Sequence, residues 1–248
     1  MINLNNISVT YQTDAGDHNA LNNVDFSLET GLSCVFIGPT GCGKSSLLYL
    51  LAGLLKPTSG QVIVNGEPLV SVRLSTSLIL QQHGLFPWKN TFENTSLGLT
   101  LRGAEKEGRS ATIKALMEDM GIWDVRDSFP GQLSGGQRQR VAIARSLATE
   151  PDLLLMDEPF SALDSMTRES LQNLVLGLWR KRSFTFVLVT HSIEEAVFLG
   201  RRIVILSPRP GRIISILDNP GMGEGSYRLS EEYHLKCREI RQIVEGIS

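Results

Sequence analysis

The sequence predicts a parallel α/β core interrupted by a helical insertion. Residues 33–37 form an almost wholly apolar run, followed at once by a glycine-rich loop and a Leu-rich helix over 45–55. Two more apolar runs, 153–156 and 184–189, each lead into helical text. Such runs mark strands buried on both faces, and strand, loop and helix in repetition mark a parallel sheet. Between them, 91–127 reads as helical, with Ile113, Leu116, Met117 and Met120 spaced for one helix face. Gly98, Gly103, Gly108 and Gly121 punctuate that stretch.

The remaining elements follow in order. Residues 7–11, 24–28 and 61–64 are short β-prone runs, with turns at Thr30-Gly31 and Asn65-Gly66. Towards the carboxyl end, Pro208, Pro210, Pro220, Gly221 and Gly223 mark loops. A last helix is expected to begin near Ser230, with Tyr233, Ile240, Val244 and Ile247 on one side. No internal repeat or low-complexity tract interrupts this reading.

Composition narrows the function classes. A chain of 248 residues has room for one large domain or two small ones, and 42% hydrophobic with 20% charged residues excludes a disordered chain. Lys and Arg total 24 against 26 Asp and Glu, a net charge of -2, so general nucleic-acid binding is not expected. Cys34, Cys42 and Cys237 lack Cys-x-x-Cys spacing, which argues against a disulfide scaffold or structural zinc and for a reducing compartment. The greasiest stretch, 47–55, is far short of the roughly 20 apolar residues of a bilayer helix. The amino terminus lacks a basic region followed by an apolar core, so no secretory signal is expected.

Gly38-Pro39-Thr40-Gly41-Cys42-Gly43-Lys44-Ser45 fits G-x-x-x-x-G-K-[ST], the phosphate-binding loop. Glycines let backbone N–H groups turn inward around an anion, and the following helix aims its positive end at the same place. Lys44 is suited to the outer phosphates and the Ser45 hydroxyl to Mg²⁺. A nucleotide site also needs a metal carboxylate and a group that activates water. Asp157 and Glu158, at the end of the apolar run 153–156, supply both: Asp157 for Mg²⁺ and Glu158 as general base.

Leu133-Ser134-Gly135-Gly136-Gln137 decides the family. Together with the phosphate loop and the Asp-Glu pair, it resembles the nucleotide-binding subunit of an ATP-binding cassette (ABC) transporter. That resemblance implies a P-loop NTPase (RecA-like) core with an amino-terminal antiparallel β subdomain and an inserted helical subdomain. The expected divisions are 1–86 (β subdomain and first part of the core), 87–137 (helical subdomain), 138–220 (second part of the core) and 221–248 (loop and short helix).

The resemblance also implies roles for single residues. Ser134, Gly135, Gly136 and Gln137 would complete the ATP site of a second copy, giving a head-to-tail homodimer that holds two ATP. Ser46 stands where many relatives have threonine and belongs to the phosphate loop. Tyr11 resembles the aromatic that stacks on adenine, with cross-strand packing as its other reading. Gln81 resembles the glutamine that touches Mg²⁺ and the attacking water; it is chosen over Gln82 by its distance from Leu85. Ser161-Ala162-Leu163-Asp164 looks like the loop between the two ATP sites, with Asp164 at the nucleotide. His191 looks like the γ-phosphate histidine, whereas His18, His83 and His234 carry no assigned role. Met156 for leucine and Gly31-Leu32 for Gly-Glu are mild departures, so an active ATPase is expected.

Leu85-Phe86-Pro87-Trp88 and Ser207-Pro208-Arg209-Pro210-Gly211-Arg212 resemble subunits of bacterial importers for nitrate, sulfonates, taurine and similar small anions. Such a subunit works peripherally at the cytoplasmic face of the inner membrane, with permease subunits and, indirectly, a solute-binding protein. The stretch after Asn219 is expected to be too short for a folded regulatory module. Phe86, Pro87, Trp88 and Phe92 either pack internally or line a groove for the permease. Two other readings of these motifs are a soluble cassette ATPase acting on nucleic acid or ribosomes and a small-molecule kinase. The first fits poorly with one cassette and negative charge, and the second leaves residues 133–137 unexplained.

Overall fold

The computed structural model describes residues 1–14, 16–103, 105–223 and 226–247. In chain order the elements are β1 (Ile2–Thr13), β2 (Gly16–Leu28), β3 (Ser33–Ile37), α1 (Lys44–Leu51), β4 (Ser59–Val64), β5 (Glu67–Pro68), β6 (Thr76–Ile79), α2 (Thr91–Leu101) and α3 (Lys106–Asp119). They continue with α4 (Gly135–Leu147), β7 (Leu153–Asp157), α5 (Ser165–Arg182), β8 (Thr185–Thr190), α6 (Ile193–Leu199), β9 (Arg202–Leu206), β10 (Ile213–Asp218) and α7 (Glu231–Glu245). The chain divides into two compact units, one built from 1–73 and 183–248 and the other from 74–182. The first is discontinuous in sequence, so the second is inserted within it. The class is α/β, as the sequence predicts.

In the discontinuous unit, β1 pairs antiparallel with both β2 and β4, and β5 extends the sheet from β4. Strands β1 and β2 are much longer than the runs 7–11 and 24–28: Ile2 and Leu4, buried and paired with β4, begin β1, and hairpin pairing out to Thr13↔Gly16 orders polar residues at the other end. Beside this hairpin sheet, β3 lies parallel to β8 on one side and β9 on the other, with β10 antiparallel at the edge of β9. Every residue of β3 and β8 is buried, which is why both read as unbroken apolar runs.

Helix α1 stops at Leu51, short of the expected 55, because Gly53 takes a left-handed φ of 72° that ends the helix in a turn. Helix α7 begins where Ser230 accepts the Tyr233 N–H at 3.1 Å, and it buries Tyr233 and Ile240, whereas Val244 stays half-buried and Ile247 lies beyond the helix end at Glu245. Asn219, fully buried, ties this carboxyl-terminal segment down. Its amide donates to Val197 O at 2.7 Å and Gly200 O at 2.9 Å, and its Oδ1 accepts the Tyr227 hydroxyl.

In the inserted unit, β6 and β7 run parallel, and helices α2 to α5 supply the rest. The expected helical stretch resolves into α2, α3 and a single 3-10 turn at Trp123–Val125, with Gly103 and Gly121 following the ends of the two helices. Ile113, Leu116, Met117 and Met120 are all fully buried, as the periodicity predicts.

Replacing Asn219 with alanine strands a buried hydroxyl and two carbonyls. We expect Asn219→Ala to cost about 2–4 kcal/mol, read as a fall in melting temperature, while a parent-like melt would show that the tie carries no stability.

Candidate functional site

Parallel pairing decides where the loops emerge. Ile37, the last residue of β3, sits level with Thr190, the last residue of β8, so the phosphate loop and His191 leave the sheet from one rung. Ligands in open α/β sheets bind at this carboxyl edge. Gly38 and Cys42 are buried, while Pro39, Thr40 and Gly41 are exposed at the rim. Gly43 closes the loop at φ 96°, and a Cβ there would lie 2.6 Å from Ala20 O, so glycine is required. As the residue before α1, Gly43 provides no side-chain cap, and the first turn holds no acid. The helix therefore presents its positive end to the loop with nothing of its own in the way.

Lys44 is 6% exposed and folds back, its Nζ donating to Gly38 O at 2.8 Å and Pro39 O at 3.0 Å. Burial pushes the Cys42 thiol up from its ordinary value, a rise opposed by the Lys44 charge. Ser45 is exposed and Ser46 half-buried. The Tyr11 hydroxyl lies 3.0 Å from Ser46 Oγ, which sets the Tyr11 ring against the first turn of α1.

This unit also recruits residues to which the sequence reading gives no chemical role. His18 is the cross-strand partner of Tyr11, and Arg209 reaches both it and the phosphate loop. Arg209 Nε donates to Gly41 O at 3.3 Å, and its Nη1 lies 3.3 Å from His18 Nδ1. An arginine between two prolines in a turn was the available signal.

The inserted unit gathers the remaining residues into two groups. In the first, Ile79, the last residue of β6, pairs with Met156, so Gln81 follows two residues after β6 ends while Asp157 ends β7 and Glu158 follows it. Asp157 is 7% exposed at the end of β7, and Gln81 is exposed. Glu158 holds φ 44°, a left-handed conformation that a non-glycine residue adopts at a cost of roughly 1–2 kcal/mol. The turn after Gln81 is pinned by Arg145 of α4, which donates to Gly84 O at 2.6 Å and His83 O at 2.7 Å. A lone arginine within the apolar text of 141–148 was the clue to it.

In the second group, Ser134 caps α4. Its Oγ accepts the Gln137 N–H at 3.2 Å, and Gln137 Oε1 accepts the Ser134 N–H at 2.8 Å, a complete capping box. Gly136 packs so closely on α5 that a Cβ would meet Thr167 Cγ2 at 2.6 Å, whereas a Cβ on Gly135 would meet nothing nearer than Leu163 Cδ2 at 3.8 Å. Asp164 stands at the start of α5 beside them. It accepts the Thr167 N–H at 3.0 Å, which holds its carboxyl below the usual carboxylate range.

The loop after the Gln81 turn is held from inside. Asn94, fully buried, accepts the Phe86 N–H at 2.9 Å and donates to Phe86 O, Lys89 O and Asn90 O at 3.1, 2.8 and 3.1 Å. Trp88 is thereby carried out to 69% exposure, with its ring 5.2 Å from that of Phe86. Among the described residues, no helix is long and apolar enough to cross a membrane.

Comparison with known proteins adds the family. Residues 21–161, more than half of the chain, match the ABC transporter family. The chain is 43% identical over 213 residues to the taurine import ATP-binding protein TauB of Roseobacter denitrificans, covering 86% of this chain and 80% of that one. It is 40% identical over 247 residues to TauB of Jannaschia sp., covering 98% and 92%. Among solved structures, it superposes with a TM-score of 0.79 and 33% identity on the dimeric post-hydrolysis state of the ATP-binding cassette MJ0796 bound to ADP and Pi, covering 88% and 98%. A phosphate loop on the buried edge of β3, a serine-capped α4 and these matches lead to one conclusion: the chain belongs to the ABC transporter family and is an ATP-binding, ATP-hydrolysing subunit.

Proposed function

We propose that this subunit energises import of taurine or a similar small anion, such as a sulfonate or nitrate, by ATP-driven closure of a homodimer. The observation that carries the cargo class is the similarity over most of the chain to proteins named for taurine import. The subunit docks on permease subunits at the cytoplasmic face of the inner membrane, and a solute-binding protein delivers cargo to them. Reconstitution with permease subunits in vesicles, comparing uptake of labelled taurine, alkanesulfonates and nitrate, tests this reading. ATP-dependent uptake of none of them would overturn it.

Roles are proposed residue by residue. Backbone N–H groups of Gly38, Pro39 (through its flanking amides), Thr40, Gly41, Cys42, Gly43 and Lys44 cradle phosphate, with Ser46 at its near side and Lys44 as the mobile cation. For this, Lys44 must exchange the loop carbonyls it now holds for phosphate oxygens. Tyr11 stacks on adenine. Ser45, Gln81 and Asp157 are the Mg²⁺ ligands; hydroxyl, amide and carboxylate oxygens are the donors a hard cation takes. When bound, Mg²⁺ supplies charge neutralisation at the phosphates. Glu158 takes the proton of the attacking water, Gln81 orients that water and His191 contacts the γ-phosphate. Ser134, Gly135, Gly136 and Gln137 act on the nucleotide of the second copy, with Asp164 between the two sites. In this scheme, 1–86 and 138–220 form the ATPase core and β subdomain, 87–137 the helical subdomain and 221–248 the closing loop and helix.

Three variants test these roles. Glu158→Gln keeps size and hydrogen bonding but removes the proton acceptor, so turnover falls by roughly 10²–10⁴-fold. ATP binding survives and holds two subunits together; hydrolysis at the parent rate would remove Glu158 as the base.

Gly135→Asp adds a side chain whose Cβ meets only Leu163 Cδ2, at an ordinary 3.8 Å, in the first turn of α4, a position where an acid suits the helix. The fold and monomer nucleotide binding persist while ATP-driven dimerisation is lost through repulsion of phosphate. Gel filtration with ATP checks this, and an intact dimer would rule out the trans site.

Trp88→Ala removes an exposed ring, so melting temperature and basal ATPase stay near parent while permease co-purification and transport fall. Interface anchors of this kind often contribute about 2 kcal/mol or more. A large drop in melting temperature with normal permease binding would return Trp88 to the core.

A further inference from the structure

His191 is an exposed residue held between two buried ends. Before it, Thr190 closes β8 at 2% exposure; beyond it, Glu195 in the first turn of α6 is 4% exposed. Three hydrogen bonds join the flanks into a ring. The Thr190 hydroxyl donates to Glu195 Oε2 at 2.6 Å, the Ser192 N–H donates to Thr190 Oγ1 at 3.1 Å, and the Glu195 N–H donates to Ser192 Oγ at 3.2 Å. His191 is the one residue inside the short arc from Thr190 to Ser192.

Capping α6 does not need this ring. Ser192 accepts the Glu195 N–H, and Glu194 complements the helix from an exposed position, bonded to Ser192 Oγ at 3.1 Å and Arg241 at 3.2 Å. Burying a second carboxylate adds a desolvation cost that only its hydrogen bonds offset. What the Glu195 carboxylate adds is control of the Thr190 hydroxyl. Thr190 is β-branched and has few rotamers, and the carboxylate selects the one whose oxygen faces the Ser192 N–H. That fixes the backbone on both sides of His191. Because Thr190 is also level with Ile37, the ring is built on the rung that launches the phosphate loop.

We infer that Thr190 and Glu195 are positioning residues for His191: their buried hydroxyl–carboxylate bond sets the direction of the imidazole towards the phosphate loop. This rests on the assignment of His191 to the γ-phosphate. Neither residue touches nucleotide; both act through the histidine. A group held this way loses rate rather than affinity when its support goes, and misplacement by about 1 Å can cost about 10²-fold.

The test uses the full chain and measures kcat, KM and ATP affinity. Thr190→Val keeps the branched shape and removes the hydroxyl, so kcat falls by roughly 10–100-fold, with KM and ATP affinity at parent values. Thr190→Ser keeps the hydroxyl and returns kcat towards parent. Thr190→Ala deletes it by a second route and matches Thr190→Val should that variant fold poorly. If Thr190 acts only through the histidine, His191→Ala/Thr190→Val has the kcat of His191→Ala alone. A parent kcat for Thr190→Val beside an impaired His191→Ala overturns the positioning role and leaves the histidine's role standing. A further loss in the double variant also overturns it, because Thr190 would then act elsewhere. A parent kcat for His191→Ala removes both.

Discussion

The burial of β3 is the constraint on which the discontinuous unit depends. All five residues of that strand are inaccessible to water, so its backbone groups must be paired on both edges, and β8 and β9 do so in parallel register. Parallel pairing brings like ends together. The phosphate loop and His191 therefore leave from adjacent strand ends without any loop having to search for the other. In the inserted unit, β6 and β7 apply the same rule to the ends of their own strands, after which Gln81 follows β6 and Glu158 follows β7. Two short parallel ladders thus do the positioning, and the loops carry the chemistry.

Each loop is then fixed by groups that lie outside the phosphate loop, the Asp-Glu pair and residues 133–137. Arg145 holds the turn after Gln81, Asn94 holds the loop that displays Trp88, and Arg209 leans on Gly41. These are hydrogen bonds from side chains to backbone carbonyls, the means by which irregular segments acquire definite shape once they leave a ladder. The Ser134–Gln137 box does the same for the start of α4.

Much of this was legible in the sequence, for identifiable reasons. The run 33–37 and the loop behind it could be read because full burial removes polar residues from the strand and phosphate chemistry dictates glycine, lysine and serine at set spacing. Ile113, Leu116, Met117 and Met120 were legible because one face of α3 is core. Legibility failed at β9, whose buried run 203–206 has the same apolar signal as β3 yet was passed over, and where pairing rather than burial decides. The outer parts of β1 and β2, which meet at Thr13 and Gly16, carry polar residues that only the hairpin makes into strand. The edge strand β10 alternates half-buried and exposed residues, Ile214 and Ile216 among the exposed ones. The supporting contacts of Arg145, Asn94 and Thr190 join residues to backbone groups that sequence spacing does not reveal.

The left-handed backbone at Glu158 sets stability against activity at a single position. Glycine would relax that conformation, and the chain would fold more readily for it. The same change would delete the carboxylate proposed to draw the proton from water. Selection for thermal robustness alone would thus work against the carboxylate at this position. Laboratory evolution by heat challenge alone would therefore need a parallel selection for ATP turnover to keep Glu158.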